Sequence, residues 1–313
     1  MNAHTPAVVV GVDGSEPAAE AARAAAREAD RRKLPLRLVR AFHWPAGDLP
    51  GLPDAYDACA ASRRSANADL DQLRASLVDL LPEWAISTEL IDGRADTVLC
   101  RATQEADLLV VGASGLTWGS GGGLGSVAEA VAATASCPVL VHRTPNPLDW
   151  RRGGVVVGLD GAEGSTAVLA AAAREADLRG EPLHVVHAWR QLTEDAVQRL
   201  RWRMDEDASV SAETAAVEPL VAALHRRRPD VPVETTVQQG RAGQVLVQAS
   251  ESASLLVVGR RDITAGGPGA TVHSVLHRVA IPVLTVPVPA TVPATVAVSV
   301  GETVAAVAGP HGG

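Results

Sequence analysis

The sequence predicts an α/β protein of two tandem domains, each a five-stranded parallel sheet flanked by helices. Two observations carry that expectation. The chain repeats itself once, and within each copy short β-branched runs alternate with longer alanine-rich runs, the pattern of successive βαβ units. VVVGVDG at Val8 to Gly14 returns as VVVGLDG at Val155 to Gly161, and AAREAD at Ala25 to Asp30 returns at Ala172 to Asp177, each 147 residues later. Gly93-Arg94-Ala95 and the LLVVG of Leu108 to Gly112 return at the same spacing, as Gly240-Arg241-Ala242 and Leu255 to Gly259. Pro138-Val139-Leu140 returns as Pro282-Val283-Leu284, only 144 residues on, so the second copy has lost three residues before that point. Matched blocks in one order indicate a duplicated domain.

In the first copy the expected strands are Val8 to Val12, Leu36 to Phe42, Ile86 to Ile91, Leu108 to Gly112 and Val139 to His142. Helices fill the gaps. Ser15 is placed to cap the first helix, Pro17 is tolerated in its first turn, and Ala18 to Ala29 supplies strong helix formers. The first and fourth strands are apolar on both faces, as central strands covered by helices on each side should be. The Pro/Arg/Gly-rich stretch Pro145 to Gly154 has linker chemistry, giving domains at 1–147 and 148–287. Residues 288–313 repeat VPAT, have no partner in the first copy and read as a low-complexity tail.

Composition narrows the function. At 313 residues with 47% apolar and 20% charged residues, the chain can bury a sizeable core. A net charge of −8 argues against nucleic acid or an anionic membrane as the main partner. Three scattered cysteines and the lack of a signal-type N-terminus or a long uninterrupted apolar run lead us to expect a cytoplasmic protein. Lys33 is the sole lysine, and it sits in an arginine-rich stretch rather than after a glycine loop. That excludes Walker-type NTPases, protein kinases and phospho-receiver domains, each of which needs a lysine elsewhere.

In an open parallel sheet, ligands lie beyond the carboxyl ends of the strands, where strand order reverses. Two segments of the first copy carry suitable chemistry there. One is Val12-Asp13-Gly14-Ser15, between the first strand and its helix. The other follows the fourth strand: Gly112-Ala113-Ser114-Gly115, nine residues, then Gly125-Ser126 and a helix opening near Val127. Glycines let the backbone approach a phosphate, and the N–H groups that open a helix point at the anion.

With these residues the sequence resembles the universal stress protein family. Its ATP-binding branch carries Gly, two residues, Gly, nine residues, Gly, then Ser or Thr, matched here by Gly112, Gly115, Gly125 and Ser126. Asp13-Gly14-Ser15, Gly93-Arg94-Ala95 and Cys137-Pro138-Val139-Leu140 also look like the family, and the resemblance spans about residues 6 to 287. It implies Rossmann-like domains with strand order 3-2-1-4-5 and ATP, with magnesium, between the ends of strands one and four. Carried over residue by residue, Asp13 would meet the nucleotide or its metal, and the backbone at Ala41 would meet adenine. The Gly112 to Gly115 loop would pack on ribose and phosphates, and Ser126 with the amides of Gly125 and Val127 would hold the phosphates. The family also pairs domains through the last strand, so we expect a pseudo-symmetric monomer or a homodimer.

The function implied is a stress-response or dormancy protein regulated by bound nucleotide. The rivals are a slow ATPase or phosphotransferase using Asp13 and metal, and an interaction scaffold without nucleotide. No hydrolase triad, nucleophile elbow or two-metal cluster is evident in the sequence.

Bland alternatives apply to other features. Asp13 could be a capping residue, and Gly119 to Gly123 could be a surface loop as readily as a lid. Trp118 could stack on a base or pack on a helix. His142, His184 and His187 suit satisfied strand positions, and Arg226-Arg227-Arg228 suits a solvated helix end.

The second copy is expected to bind weakly or not at all. Gly269-Ala270 replaces Gly125-Ser126, Asp262 stands where Gly115 does, and Ala162 replaces Ser15. Asp160 and the Gly240-Arg241-Ala242 turn persist, and Arg260 and Arg261 are candidate compensating charges.

Overall fold

The computed structural model describes residues 6–44, 55–115, 123–144, 153–162, 164–189, 206–261 and 269–288. Trp118, Gly119 to Gly122, Asp262, most of the linker and the tail after residue 288 lie outside the described residues.

The first half runs β1 (Ala7–Gly11), α1 (Glu16–Arg32), β2 (Leu36–Phe42), α2 (Ala55–Ala75), β3 (Ile86–Asp92), α3 (Ala95–Ala102), β4 (Ala106–Gly112), α4 (Ser126–Thr134) and β5 (Val139–His142). The second half runs β6 (Val155–Leu159), α5 (Ser165–Arg179), β7 (Leu183–Trp189), α6 (Glu206–Arg227), β8 (Val233–Gln239), α7 (Ala242–Ala249), β9 (Leu255–Arg261), α8 (Ala270–Arg278) and β10 (Val283–Val288). All ten strands form one sheet, ordered β3-β2-β1-β4-β5-β10-β9-β6-β7-β8. Each half therefore has the 3-2-1-4-5 order, parallel throughout. The halves meet at one antiparallel seam, where Val283 pairs with Val141, Leu284 with Leu140 and Thr285 with Val139.

Strand alternation divides the core into two layers. In β1, Val8 and Val10 face the layer that contains α1, α2, α5 and α6. Val9 faces the other layer, with α3, α4, α7 and α8. All three valines are completely buried, which is why β1 reads as an unbroken apolar run.

The repeated AAREAD blocks meet each other across the two halves. Glu28 and Arg32 stand one turn apart on α1, and Glu175 and Arg179 take the same positions on α5. Arg179 reaches Glu28 at 2.6 Å, Arg32 reaches Glu175, and each arginine also pairs with the glutamate of its own helix. All four side chains are nine-tenths or more buried. Burial alone would raise the Glu28 carboxyl, but Arg179, Arg32 and Arg31 together hold it below the ordinary carboxylate range.

A second pair of arginines locks the opposite layer. Arg143 donates to the carbonyl of Leu276 in α8, while the buried Arg260 donates to Ala133 O, at 2.6 Å, and to Ala135 O at the end of α4. Each half thus satisfies carbonyls left open at the end of a helix in the other.

Candidate functional site

A cavity of about 350 Å³ opens beyond the carboxyl ends of β1 and β4 in the first half. That is within the roughly 300–1,000 Å³ of small-molecule sites. One side is apolar, formed by Val39, Ala41, Leu99 and Val111. The other carries Asp13, Ser114, Ser126 and the glycines 112, 115 and 125. Of the residues singled out from the sequence, Asp13, Ala41, Gly112, Gly115, Gly125, Ser126 and Val127 all line this space. Gly14 and Ser15 do not; they border a neighbouring groove between α1 and α2 that also contains Arg40 and Asp69.

Gly14 and Ser15 act through Asp13. Gly14 adopts φ +90°, a conformation that lets the chain turn sharply from β1 into α1. Ser15 caps α1 by accepting from the Ala18 amide at 3.3 Å. Its own N–H and hydroxyl donate to Asp13 Oδ1 at 3.0 and 2.6 Å. The capping reading and the binding reading of this segment are therefore compatible: Ser15 makes the cap and Asp13 faces the cavity.

The glycine loop is equally constrained. A Cβ at Gly115 would come within 2.5 Å of Asp13 Oδ2, and one at Gly112 would stand 3.1 Å from the Pro17 and Ser114 carbonyls. Among the described residues, a Cβ at Gly125 would meet Ala113 O at 3.5 Å, an ordinary van der Waals contact. The Ala113 amide donates to His142 O at 2.9 Å, and Gly125 N donates to Ala113 O at 2.7 Å, tying the loop to β5 and to the start of α4. His142 thus serves the site through its backbone, while burial pushes its imidazole pKa below the ordinary value. The α4 N-terminus has no side-chain cap, which leaves its first amides and the positive end of its dipole facing the cavity.

The other histidines raised from the sequence are satisfied within the second half. His184 bonds Thr236 at 2.8 Å, and His187 bonds Leu159 O and Glu213, both at 2.9 Å.

The corresponding cavity in the second half holds only about 120 Å³. Val288, at the end of a β10 that runs farther than β5, fills the space against Gly164 so closely that no Cβ fits there. Arg261 pairs with Asp160 at the mouth. Arg260 was expected to offer charge to this site; it is instead buried and spent on α4 of the other half. The hydroxyls missing at Ala162 and Ala270 also have local substitutes. Ser165 donates to Asp160 Oδ1 at 3.0 Å, and Thr271 lines the small cavity.

The sequence placed Val288 in the low-complexity tail, whereas it ends β10 and is buried, and Thr271 and a cluster on the outer face, Glu129 with His273 and His277, drew no notice. The His-x-x-x-His spacing of the last pair was a visible signal. Among the described residues no helix is long and apolar enough to cross a membrane.

Comparison with known proteins agrees with this architecture. The sequence model of the universal stress protein family matches residues 5–143 and again 153–287. One universal stress protein of Mycobacterium tuberculosis is 32% identical over 287 residues, covering 88% of this chain and 95% of the relative. Another from the same organism is 31% identical over 283 residues, covering 87% and 92%. A solved universal stress protein from Archaeoglobus fulgidus shares the fold, with a TM-score of 0.60 at 16% identity, covering 90% of this chain and 98% of that one. With two family matches that between them span nearly all of the sheet, and relatives aligned along most of their length, the chain belongs to the universal stress protein family.

Proposed function

We propose that the chain is a nucleotide-responsive regulator in which the first domain binds ATP with magnesium and the second does not. The observation that carries this reading is the cavity at β1 and β4, lined by all four residues of the Gly112, Gly115, Gly125, Ser126 motif. Its apolar side, at Val39, Ala41 and Leu99, suits a purine ring, with the backbone at Ala41 as the group that would read adenine. The glycines and the uncapped start of α4 suit an anion, with Ser126 and the amides of Gly125 and Val127 as donors. Asp13, whose Oδ1 accepts from the N–H and hydroxyl of Ser15, is the group we assign to a magnesium ion that would neutralise part of the phosphate charge. ATP would supply binding energy and a triphosphate whose charge meets the Gly112 to Gly115 turn and the start of α4.

Regulation is favoured over catalysis because the described lining residues include one carboxylate and no histidine, lysine or arginine. Turnover should be below about one per minute, against roughly 10 per second for typical enzymes. The slow-ATPase reading rests on Asp13 itself, whose carboxylate points toward the Gly115 loop. Rapid hydrolysis abolished by Asp13→Asn would favour it.

The test is mass spectrometry of the supernatant after denaturing gently purified protein, together with an ATP·Mg titration. The reading predicts an adenine nucleotide in the supernatant and saturable binding. Failure to bind below millimolar ATP would contradict it. A cytoplasmic location completes the proposal.

A further inference from the structure

The antiparallel seam between β5 and β10 has a consequence on the outer face of the sheet. It sets α4 and α8 in the same core layer, with Ala128, Val131 and Ala132 of one and Val272, Val275 and Leu276 of the other in one apolar cluster. Polar residues on these helices remain outside. On α8, His273 and His277 are four residues apart and therefore share one face. Their rings lie with centroids 4.3 Å apart and tilted 46°. On α4, Glu129 meets both of them: Oε1 is 3.1 Å from His273 Nδ1 and 3.8 Å from His277 Nε2.

We propose that Glu129, His273 and His277 form a binding site for a divalent first-row transition metal of the zinc class, bridging the two halves. Two imidazole nitrogens and a carboxylate oxygen make a ligand set known for zinc, with a fourth position left for water. The three donor atoms lie within 4.8 Å of one another. Bonds of about 2.0–2.1 Å in a tetrahedral arrangement require donors roughly 3.3 Å apart, so modest rotation of the rings closes the site. All three side chains are at least a third exposed, with His273 at 54%, which gives both that freedom and an open path for the ion. The nitrogen-rich set excludes magnesium and calcium, which favour six or more oxygens.

An ion pair alone accounts less well for the arrangement. A hydrogen bond joins Glu129 to His273 at 3.1 Å but not to His277 at 3.8 Å, whereas a divalent cation accepts a lone pair from all three groups. Glu129 lies one turn beyond Ser126, so the metal would also anchor the helix whose first turn lines the larger cavity. The proposal does not depend on nucleotide binding.

Zinc titration of the full, tag-free chain, read by competition with a chromogenic chelator and by thermal unfolding, tests it. We expect about one zinc per chain, a rise in melting temperature, and no competition from millimolar magnesium. The double variant His273→Ala/His277→Ala should lose more than about tenfold in affinity, equivalent to about 1.4 kcal/mol. Glu129→Gln, which keeps both histidines, should lose the thermal shift because the bridge is cut. Cobalt substitution should give visible bands of a four- or five-coordinate nitrogen and oxygen site in the wild type and not in the double variant. Equal zinc affinity in wild type and double variant would overturn the site, as would absence of uptake below millimolar zinc. An unchanged thermal shift in Glu129→Gln would overturn the bridge.

Discussion

The two halves keep the same strand order and the same packing glycines, yet their cavities differ about threefold in volume, 350 against 120 Å³. Gly11 packs against Leu99 of α3 just as Gly158 packs against Leu246 of α7. Asp13 and Asp160 occupy matching turns, each satisfied by a nearby serine hydroxyl. The differences lie at the rim. In the first half Asp13 faces the glycine loop; in the second, Arg261 takes up Asp160 and Val288 fills the space beside Gly164. The seam, in contrast, is symmetric, with Glu28 and Arg32 mirrored by Glu175 and Arg179. The buried ionic contact between the halves is retained in both copies, whereas the larger cavity is kept in one.

Symmetry at the seam makes a paired prediction. Arg32→Ala and Arg179→Ala should each destabilise by about 3–5 kcal/mol, since each leaves two buried glutamates sharing a single arginine. Denaturant unfolding would measure both. A neutral result for either arginine would break the symmetry.

Asymmetry at the cavities makes the next. Gly115→Val should weaken ATP binding about 100-fold, or about 2.8 kcal/mol, because the side chain collides with Asp13 and displaces it. Calorimetry on a variant shown by circular dichroism to be folded would check this. Unchanged affinity would remove the loop from the site.

Smaller effects separate the serines. Ser15→Ala removes a helix cap, costing about 1 kcal/mol of stability, and releases Asp13, so affinity should fall about fivefold. Ser165→Ala should cost about 1 kcal/mol through its lost hydrogen bond and leave affinity unchanged. Equal loss of affinity in the two variants would erase the distinction between the domains.

The smallest effect concerns acid. The depressed Glu28 carboxyl contributes stability that is present above its ordinary value of 4.5 and is lost as pH falls through its lower folded value. The cost of Arg32→Ala should therefore shrink below pH 4.5, as seen in thermal unfolding at a series of pH values. A cost independent of pH would show that the carboxylate is not the partner that matters.

Much of this was legible in the chain. The repeat gave the domain pair, and hydrophobic runs with cap and turn residues gave the strands of the first half to within two residues. The glycine spacing located the larger cavity. The role of the AAREAD glutamates and of the arginines four residues after them was not legible, because such a pair looks like an ordinary surface pair until the other copy packs against it. Val288 was hidden for a related reason: sequence matching between the copies ends at Leu284, and the plug arises where β10 continues beyond it. Arg260 read as a charge near the second cavity, since only the assembled seam shows carbonyls of α4 within its reach. Glu129 lies 144 residues before His273 and 148 before His277, and only the β5–β10 pairing brings them together.

One half of the duplicated chain is proposed to bind nucleotide, while the other, with the smaller cavity, does not. Isothermal calorimetry of the full chain with ATP·Mg tests it most directly. The account predicts one tight site per chain, lost in Asp13→Ala and retained in Asp160→Ala. Two equivalent sites, or a site lost in Asp160→Ala and kept in Asp13→Ala, would contradict it.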